Sequence, residues 1–162
     1  MMKHKTQGFT IIELVTVIVL LGILTTVVLP KFTGSSSFEA HPYRIQLISA
    51  LRLVQQRAMH QTNASDGYCH QLVIDTKRYG IPNRVSCTTS FTGWQPGATG
   101  INVESNHNVT FAVVSASTPT SIGFDRMGRP SNDCDGGCTI NISGGGETIA
   151  IQIESEGYIH AL

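Results

Sequence analysis

Glu13 is the one charged residue in the stretch Gly8-Phe-Thr-Ile-Ile-Glu-Leu and the apolar run that continues from it to Pro30. A carboxylate at the centre of a bilayer costs roughly 2.5–3.5 kcal/mol on insertion scales, and less near a helix end, so an acid in such a run is a functional candidate. Its placement raises the question of which cation meets it.

The other reactive side chains are four cysteines, Cys69, Cys87, Cys134 and Cys138, all beyond the apolar run. Thiols in an exported domain meet an oxidising compartment, where disulfides are the default. Four cysteines allow three pairings. The favoured set is Cys69–Cys87, across a predicted hairpin, and Cys134–Cys138, closing a tight loop. Zinc is the rival, but C-x₃-C occurs once, C-x₁₇-C is no usual partner, and no histidine pair stands at ligand spacing. Asp133 and Asp135 beside Gly136-Gly137 lack the EF-hand loop pattern and read as a solvated turn. No metal and no cofactor is expected.

No catalytic set is visible. His41, His60, His70, His107 and His160 are scattered, and neither G-x-S-x-G nor H-E-x-x-H occurs, so the chain does not read as an enzyme. Its 11 basic and 11 acidic residues give zero net charge, so nucleic acid is not expected as a partner. Arg126 and Arg129 flank a glycine turn and could touch phosphate, but two arginines supply little electrostatic affinity. Trp94 could stack on a sugar, although a lone tryptophan is more often partly buried. These three are the candidate ligand contacts. Asn-x-Ser/Thr triplets begin at Asn63, Asn108 and Asn141, as chance allows in a chain rich in Ser and Thr.

The elements that would carry these residues follow from the hydropathy pattern. At 162 residues, the chain supports one domain with an appended segment. Phe9–Leu29 is about long enough to cross a bilayer, at ~20 residues for ~30 Å of hydrocarbon. The basic leader Lys3-His4-Lys5 places the N-terminus in the cytoplasm and exports the remainder. An ordinary secretory signal needs a shorter apolar core and an A-x-A-type cleavage site, and neither is clear here.

The reading divides into a leader 1–8, a membrane helix 9–30 and an exported head 31–162. Gly34, three serines and Pro42 predict a break between Phe32 and Pro42. Leu47, Leu51, Val54 and Ala58, with Ile48 and Met59 beside them, form an apolar stripe on a helix of about 43–62. Arg44, Arg52, Gln55, Gln56 and His60 lie mostly outside it.

A β region of about 68–160 follows. Cys69–Asp75 and Tyr79–Cys87 flank the turn Thr76-Lys77-Arg78. Later runs are 101–103, 109–114, 121–125, 139–143, 148–154 and a short last strand at 157–160. Alternation is clearest in INIS and IAIQIE. The fold class is α+β: a long hydrophobic N-terminal helix, then an antiparallel β head.

The order Gly8-Phe-Thr-Ile-Ile-Glu-Leu, between a basic leader and an apolar helix, resembles the type IV prepilin signature. The resemblance implies that a membrane-embedded prepilin peptidase cuts after Gly8 and methylates the new N-terminus at Phe9. Glu13 would then offer its carboxylate to the Phe9 amine of a neighbouring subunit, relieving two unpaired charges in lipid at once. Pilins usually run one long helix through residues 31–42, and this chain departs from that pattern.

Ile122-Gly-Phe-Asp-Arg-Met-Gly-Arg-Pro130, Ile149-Ala-Ile and Ser155-Glu-Gly-Tyr-Ile159 resemble the H-type pseudopilins of type II secretion and the fimbrial T-type pilins. Among such proteins the chain is most similar to minor pilins of the mannose-sensitive haemagglutinin pilus. The implied fold is that of type IV pilins. The implied partners are prepilin peptidase, major and minor pilins, an inner-membrane assembly platform and the lipid bilayer. The implied location is the bacterial inner membrane, then an extracellular pilus used in adhesion. The alternatives are a pseudopilus acting in protein export and, in another class, a filament-tip module binding DNA or a glycan.

Overall fold

Thr10 and the apolar residues behind it start the first helix. In the computed structural model, which describes residues 9–32, 38–61, 70–81, 87–91 and 100–162, helix α1 runs Ile11–Phe32. It belongs to a unit of residues 1–35, and residues 36–162 form a second unit. Within α1 the hydroxyls of Thr16, Thr25 and Thr26 donate to the carbonyls of Glu13, Gly22 and Ile23. These bonds keep three polar side chains satisfied without solvent.

The side chains of α1 are described as far as Thr26, and all are exposed. Among the described residues no helix is long and apolar enough to cross a membrane. The helix also continues past Pro30, where the sequence suggested closure. A proline removes one N–H from a helix without obliging the chain to leave it.

In the second unit, helix α2 spans Ala40–His60, beginning before the predicted position 43 and including His41. Pro42 lies in its first turn, where an N–H has no intrahelical acceptor and a fixed φ suits the helix. The stripe Leu47, Leu51, Val54 and Ala58 is buried, joined by Ala40 and Ala50. Ile48 packs against the core from its edge, and Met59 is exposed.

Among the described residues nine strands follow: β1 Gln71–Asp75, β2 Arg78–Gly80, β3 Ile101–Asn102, β4 Thr110–Val113, β5 Thr120–Phe124, β6 Pro130–Asn132, β7 Cys138–Gly144, β8 Glu147–Ile153 and β9 Ile159–Ala161. They make two antiparallel sheets, ordered β3-β2-β1-β5-β6 and β4-β7-β8-β9. The β1–β2 turn is tight, because Arg78 pairs with Asp75 in register and the Asp75 carboxylate accepts the Thr76 N–H at 2.8 Å. Strand β2 ends at Gly80, earlier than the predicted Cys87, and residues 82–86 lie outside the described residues. The β7–β8 hairpin turns through Gly145 and Gly146, with φ of 62° and 84°, as a two-residue turn with both φ positive requires.

Alternation places Ile140 and Ile142 of β7, and Ile149, Ile151 and Ile153 of β8, in the core. Strand β6 is absent from the sequence reading. It is short, begins with proline and sits at a sheet edge, where proline is tolerated and periodicity carries no signal.

The helix α2 packs on strands of both sheets. The Phe111 N–H of β4 donates to the Thr76 carbonyl at 2.8 Å, and the Phe111 ring meets Tyr79 edge-on at 5.3 Å and Tyr43 at 6.1 Å. One hydrophobic cluster therefore runs through both sheets and the helix.

Candidate functional site

The N-terminal site is built on the first turn of α1. The Thr10 side-chain oxygen accepts the Glu13 backbone N–H at 3.3 Å, and the Thr10 carbonyl accepts the N–H groups of Glu13 and Leu14 at 3.1 and 3.2 Å. Thr10 is thus the N-cap and Glu13 the third residue of the helix. This is the spacing of a capping box, S/T-x-x-E. A carboxylate there also faces the positive end of the helix dipole. Phe9 precedes the cap and is 83% exposed. Gly8 lies outside the described residues.

Residues 3–29 match the prokaryotic N-terminal methylation motif. The motif is of type IV prepilin kind; it implies cutting by a prepilin peptidase and assembly with other pilins, and it belongs to structural subunits rather than to enzymes. No curated protein and no solved structure matches the chain. The capping role of Thr10 is the feature the sequence reading missed, although T-I-I-E ahead of an apolar run carries it in plain view.

The remaining candidate residues do not converge on this motif or on one another. Arg129 pairs with Asp125, its Nε and guanidinium nitrogen each 2.9 Å from Oδ2. Asp125 Oδ1 also accepts the N–H groups of Met127 and Arg129 at 2.9 and 2.8 Å. The Arg129 backbone N–H does most to hold the Asp125 carboxyl below its ordinary value; partial desolvation opposes it, and the Arg129 side chain and the Met127 N–H add to the lowering. Arg129 is therefore a brace of the β5–β6 loop, while Arg126 in the same loop is exposed. Trp94 lies outside the described residues.

Cys134 and Cys138 form a disulfide with Cα atoms 5.2 Å apart, closing the β6–β7 loop. Cys87 is disulfide-bonded as well. Cys69, and with it the expected Cys69–Cys87 pairing, falls outside the described residues. Asp133 is more than a solvated turn residue: its carboxylate accepts the Ser121 N–H of β5 at 2.7 Å, tying this loop to the five-stranded sheet. Among the described residues no group of three or more His, Cys, Asp or Glu side chains is placed to hold a metal ion.

Among the described residues, histidines face carboxylates in the pairs His41 Nε2 to Glu147 at 3.5 Å, His107 Nδ1 to Glu39 at 3.8 Å and His160 Nε2 to Glu154 at 3.1 Å. The Glu154 contact, helped by the Ala161 carbonyl, raises the His160 pKa, and desolvation opposes the rise.

Proposed function

We propose that this chain is a minor type IV pilin, of the C type in a mannose-sensitive haemagglutinin pilus. The methylation motif over residues 3–29 supports the type IV pilin part of this reading. In it, prepilin peptidase cuts between Gly8 and Phe9 and methylates Phe9. Residues 9–30 anchor the chain in the bacterial inner membrane with the N-terminus cytoplasmic. The head, with a type IV pilin fold, waits in the periplasm until an inner-membrane assembly platform passes it into an extracellular, adhesive filament with major and minor pilins.

Glu13 is the assembly residue. Its carboxylate accepts the cationic amine of Phe9 from a neighbouring subunit, because two opposite charges that would each be stranded in an apolar core are both relieved by pairing. The exposed apolar side chains on every side of α1 support this: so much uncovered apolar surface belongs against lipid or against other helices.

The test uses the native full-length protein recovered from sheared filaments. Its N-terminal peptide should begin with methylated Phe9. The variant Glu13→Gln keeps a side chain suited to the capping box but loses the charge; it should be cut normally and fail to enter filaments. A fibre-borne chain that retains Lys3-His4-Lys5 overturns the reading. Normal incorporation of Glu13→Gln removes the charge-pairing role. Deleting the gene separates the pilus from the export filament: loss of pili with normal secretion supports the first, and the reverse supports a type II pseudopilus.

A further inference from the structure

The four-stranded sheet packs one face on α2 and leaves the other open to solvent. Pairing register fixes what the open face carries. Ala112, Asn141 and Ala150 lie in one cross-strand row, and Thr139, Gln152 and His160 lie in the next. Strands β4, β7, β8 and β9 contain no lysine or arginine, and their one acid, Glu147, stands at the β7–β8 turn. Without cations the face offers nothing to a phosphate backbone. The apolar members of these rows are alanines, too small to anchor a protein partner. What the rows do offer is neutral hydrogen-bonding groups. Thr139 donates to Gln152 Oε1 at 2.5 Å. Among the described residues, Gln152 Nε2 and the Asn141 side-chain amide make no hydrogen bond.

One end of the rows carries an aromatic ring. Tyr158 is 65% exposed, and its ring stacks on that of His160, with centroids 4.9 Å apart and planes inclined by 21°. His160 Nε2 is in turn 3.1 Å from Glu154 Oε1, and Glu154 Oε2 has no partner among the described residues. The backbone beneath the ring is fixed twice. The Tyr158 carbonyl accepts the Glu154 N–H at 2.9 Å, and the Gly157 carbonyl accepts the Gln55 amide at 2.7 Å. A ring held in this way loses little entropy on docking.

We propose that this face binds a neutral oligosaccharide, with one hexose ring laid on Tyr158 and the sugar chain running over β9, β8 and β7 toward Asn141. Chemistry selects the occupant. A pyranose has a face of C–H groups and an equator of hydroxyls, each both donor and acceptor. The C–H face fits against the exposed phenol ring, whose π surface is electron-rich. The hydroxyls need acceptors and donors side by side. Glu154 supplies an acceptor, Gln152 a donor and the Asn141 amide both. Neighbouring strands are about 4.8 Å apart, so three strands spread these groups over roughly 10 Å, more than a single hexose ring needs. The ligand is uncharged because the strands hold no lysine or arginine to meet an acidic sugar, any charge on His160 is already matched by Glu154, and the Glu154 carboxylate repels an anion. The face lies wholly on the head and depends neither on cutting at Gly8 nor on Glu13.

The experiment uses the full-length mature protein in a polyoxyethylene detergent, which has no sugar head group. The probes are immobilised hexasaccharides of glucose, mannose and N-acetylglucosamine, with hexagalacturonate as the acidic comparator. At least one neutral probe should bind, and hexagalacturonate should not. Tyr158→Ala should weaken binding up to about tenfold, the scale of one lost aromatic contact, while Tyr158→Phe retains it. Gln152→Ala should weaken it several-fold. Absence of binding to every neutral probe overturns the proposal, as does equal or tighter binding of hexagalacturonate. Binding that survives Tyr158→Ala but is lost in Trp94→Ala also overturns it. Should Tyr158→Ala fail to fold, NMR titration of the unaltered chain with the bound hexasaccharide decides, because amide shifts must concentrate on β7, β8 and β9. A filament-borne chain that keeps its leader overturns the assembly reading and leaves this binding result standing, and failure of every sugar leaves that reading untouched.

Discussion

The side-chain amide of Gln55 donates to the Gly128 carbonyl oxygen at 2.7 Å. The same nitrogen reaches the Gly157 carbonyl at 2.7 Å, so one half-buried amide on α2 holds the β5–β6 loop and the β8–β9 turn side by side. Replacing Gln55 with Ala strands two carbonyls in a partly enclosed site, at about 1–3 kcal/mol for such losses. Urea denaturation of Gln55→Ala should show a lower midpoint with an unchanged slope.

Gly157 is packed against this junction. Its φ is +90°, and an added Cβ would collide with the Gly128 carbonyl oxygen and crowd the Gln55 amide. Gly146 also has positive φ, +84°, but open space around it. Gly146→Ala should therefore cost only the left-handed backbone penalty, about 1–2 kcal/mol. Gly157→Ala should cost clearly more, and comparing the melting temperatures of the two variants checks the order.

Phe111 joins the two sheets to α2 through its edge contacts with Tyr79 and Tyr43. Truncating it opens a cavity in the shared cluster. Phe111→Ala should destabilise the head by about 3–5 kcal/mol, whereas Phe111→Leu, which retains most of the volume, should lose less. Parallel denaturant titrations of the two variants provide the test.

The His160–Glu154 pair sets a pH dependence of known sign. The His160 pKa is raised above its ordinary 6.5, first by the Glu154 contact. Its contribution to stability is therefore full below pH 6.5 and disappears as pH rises through the higher folded value. Asp125 behaves oppositely: its pKa lies below the ordinary 3.8, so its contribution is present above that value and is lost as pH falls through the lower folded value. NMR titration of the His160 ring should show the raised midpoint, and Glu154→Gln should return it toward the ordinary value.

The N-terminal cap separates structure from assembly at neighbouring positions. Thr10→Ala removes the side-chain acceptor of the Glu13 N–H and should weaken the helix start by about 0.5–2 kcal/mol. Amide exchange at Ile11–Glu13 should quicken accordingly, while Glu13→Gln leaves exchange there nearly unchanged.

What the sequence revealed was local. The stripe Leu47–Leu51–Val54–Ala58 and the alternating isoleucines of β7 and β8 were legible because their periods are set by neighbours on the same element. The methylation motif was legible for the same reason, since its residues are consecutive. The start of α2 was misplaced because Pro42 was weighed as a barrier when it sits in the one turn that tolerates proline. Strand β6, the Asp133 contact to Ser121 and the Gln55 clamp depend on partners far away in sequence, and no period announces them. The platform around Tyr158 is hidden in the same way, because its members come from three strands that only pairing register brings together.

Arg44 of α2 donates to the carbonyl of Leu162 at 3.3 Å, and Arg52 to that of Ile159 at 3.0 Å. The last strand is thereby lashed to the helix that opens the head. A pull that travels along α2 is therefore passed through these two arginines to the carboxyl-terminal residues. Strand β9 then acts as a strap across the helix, so failure under load requires shearing these anchors together with the packing beneath α2, a mode that resists traction better than peeling strands away one by one.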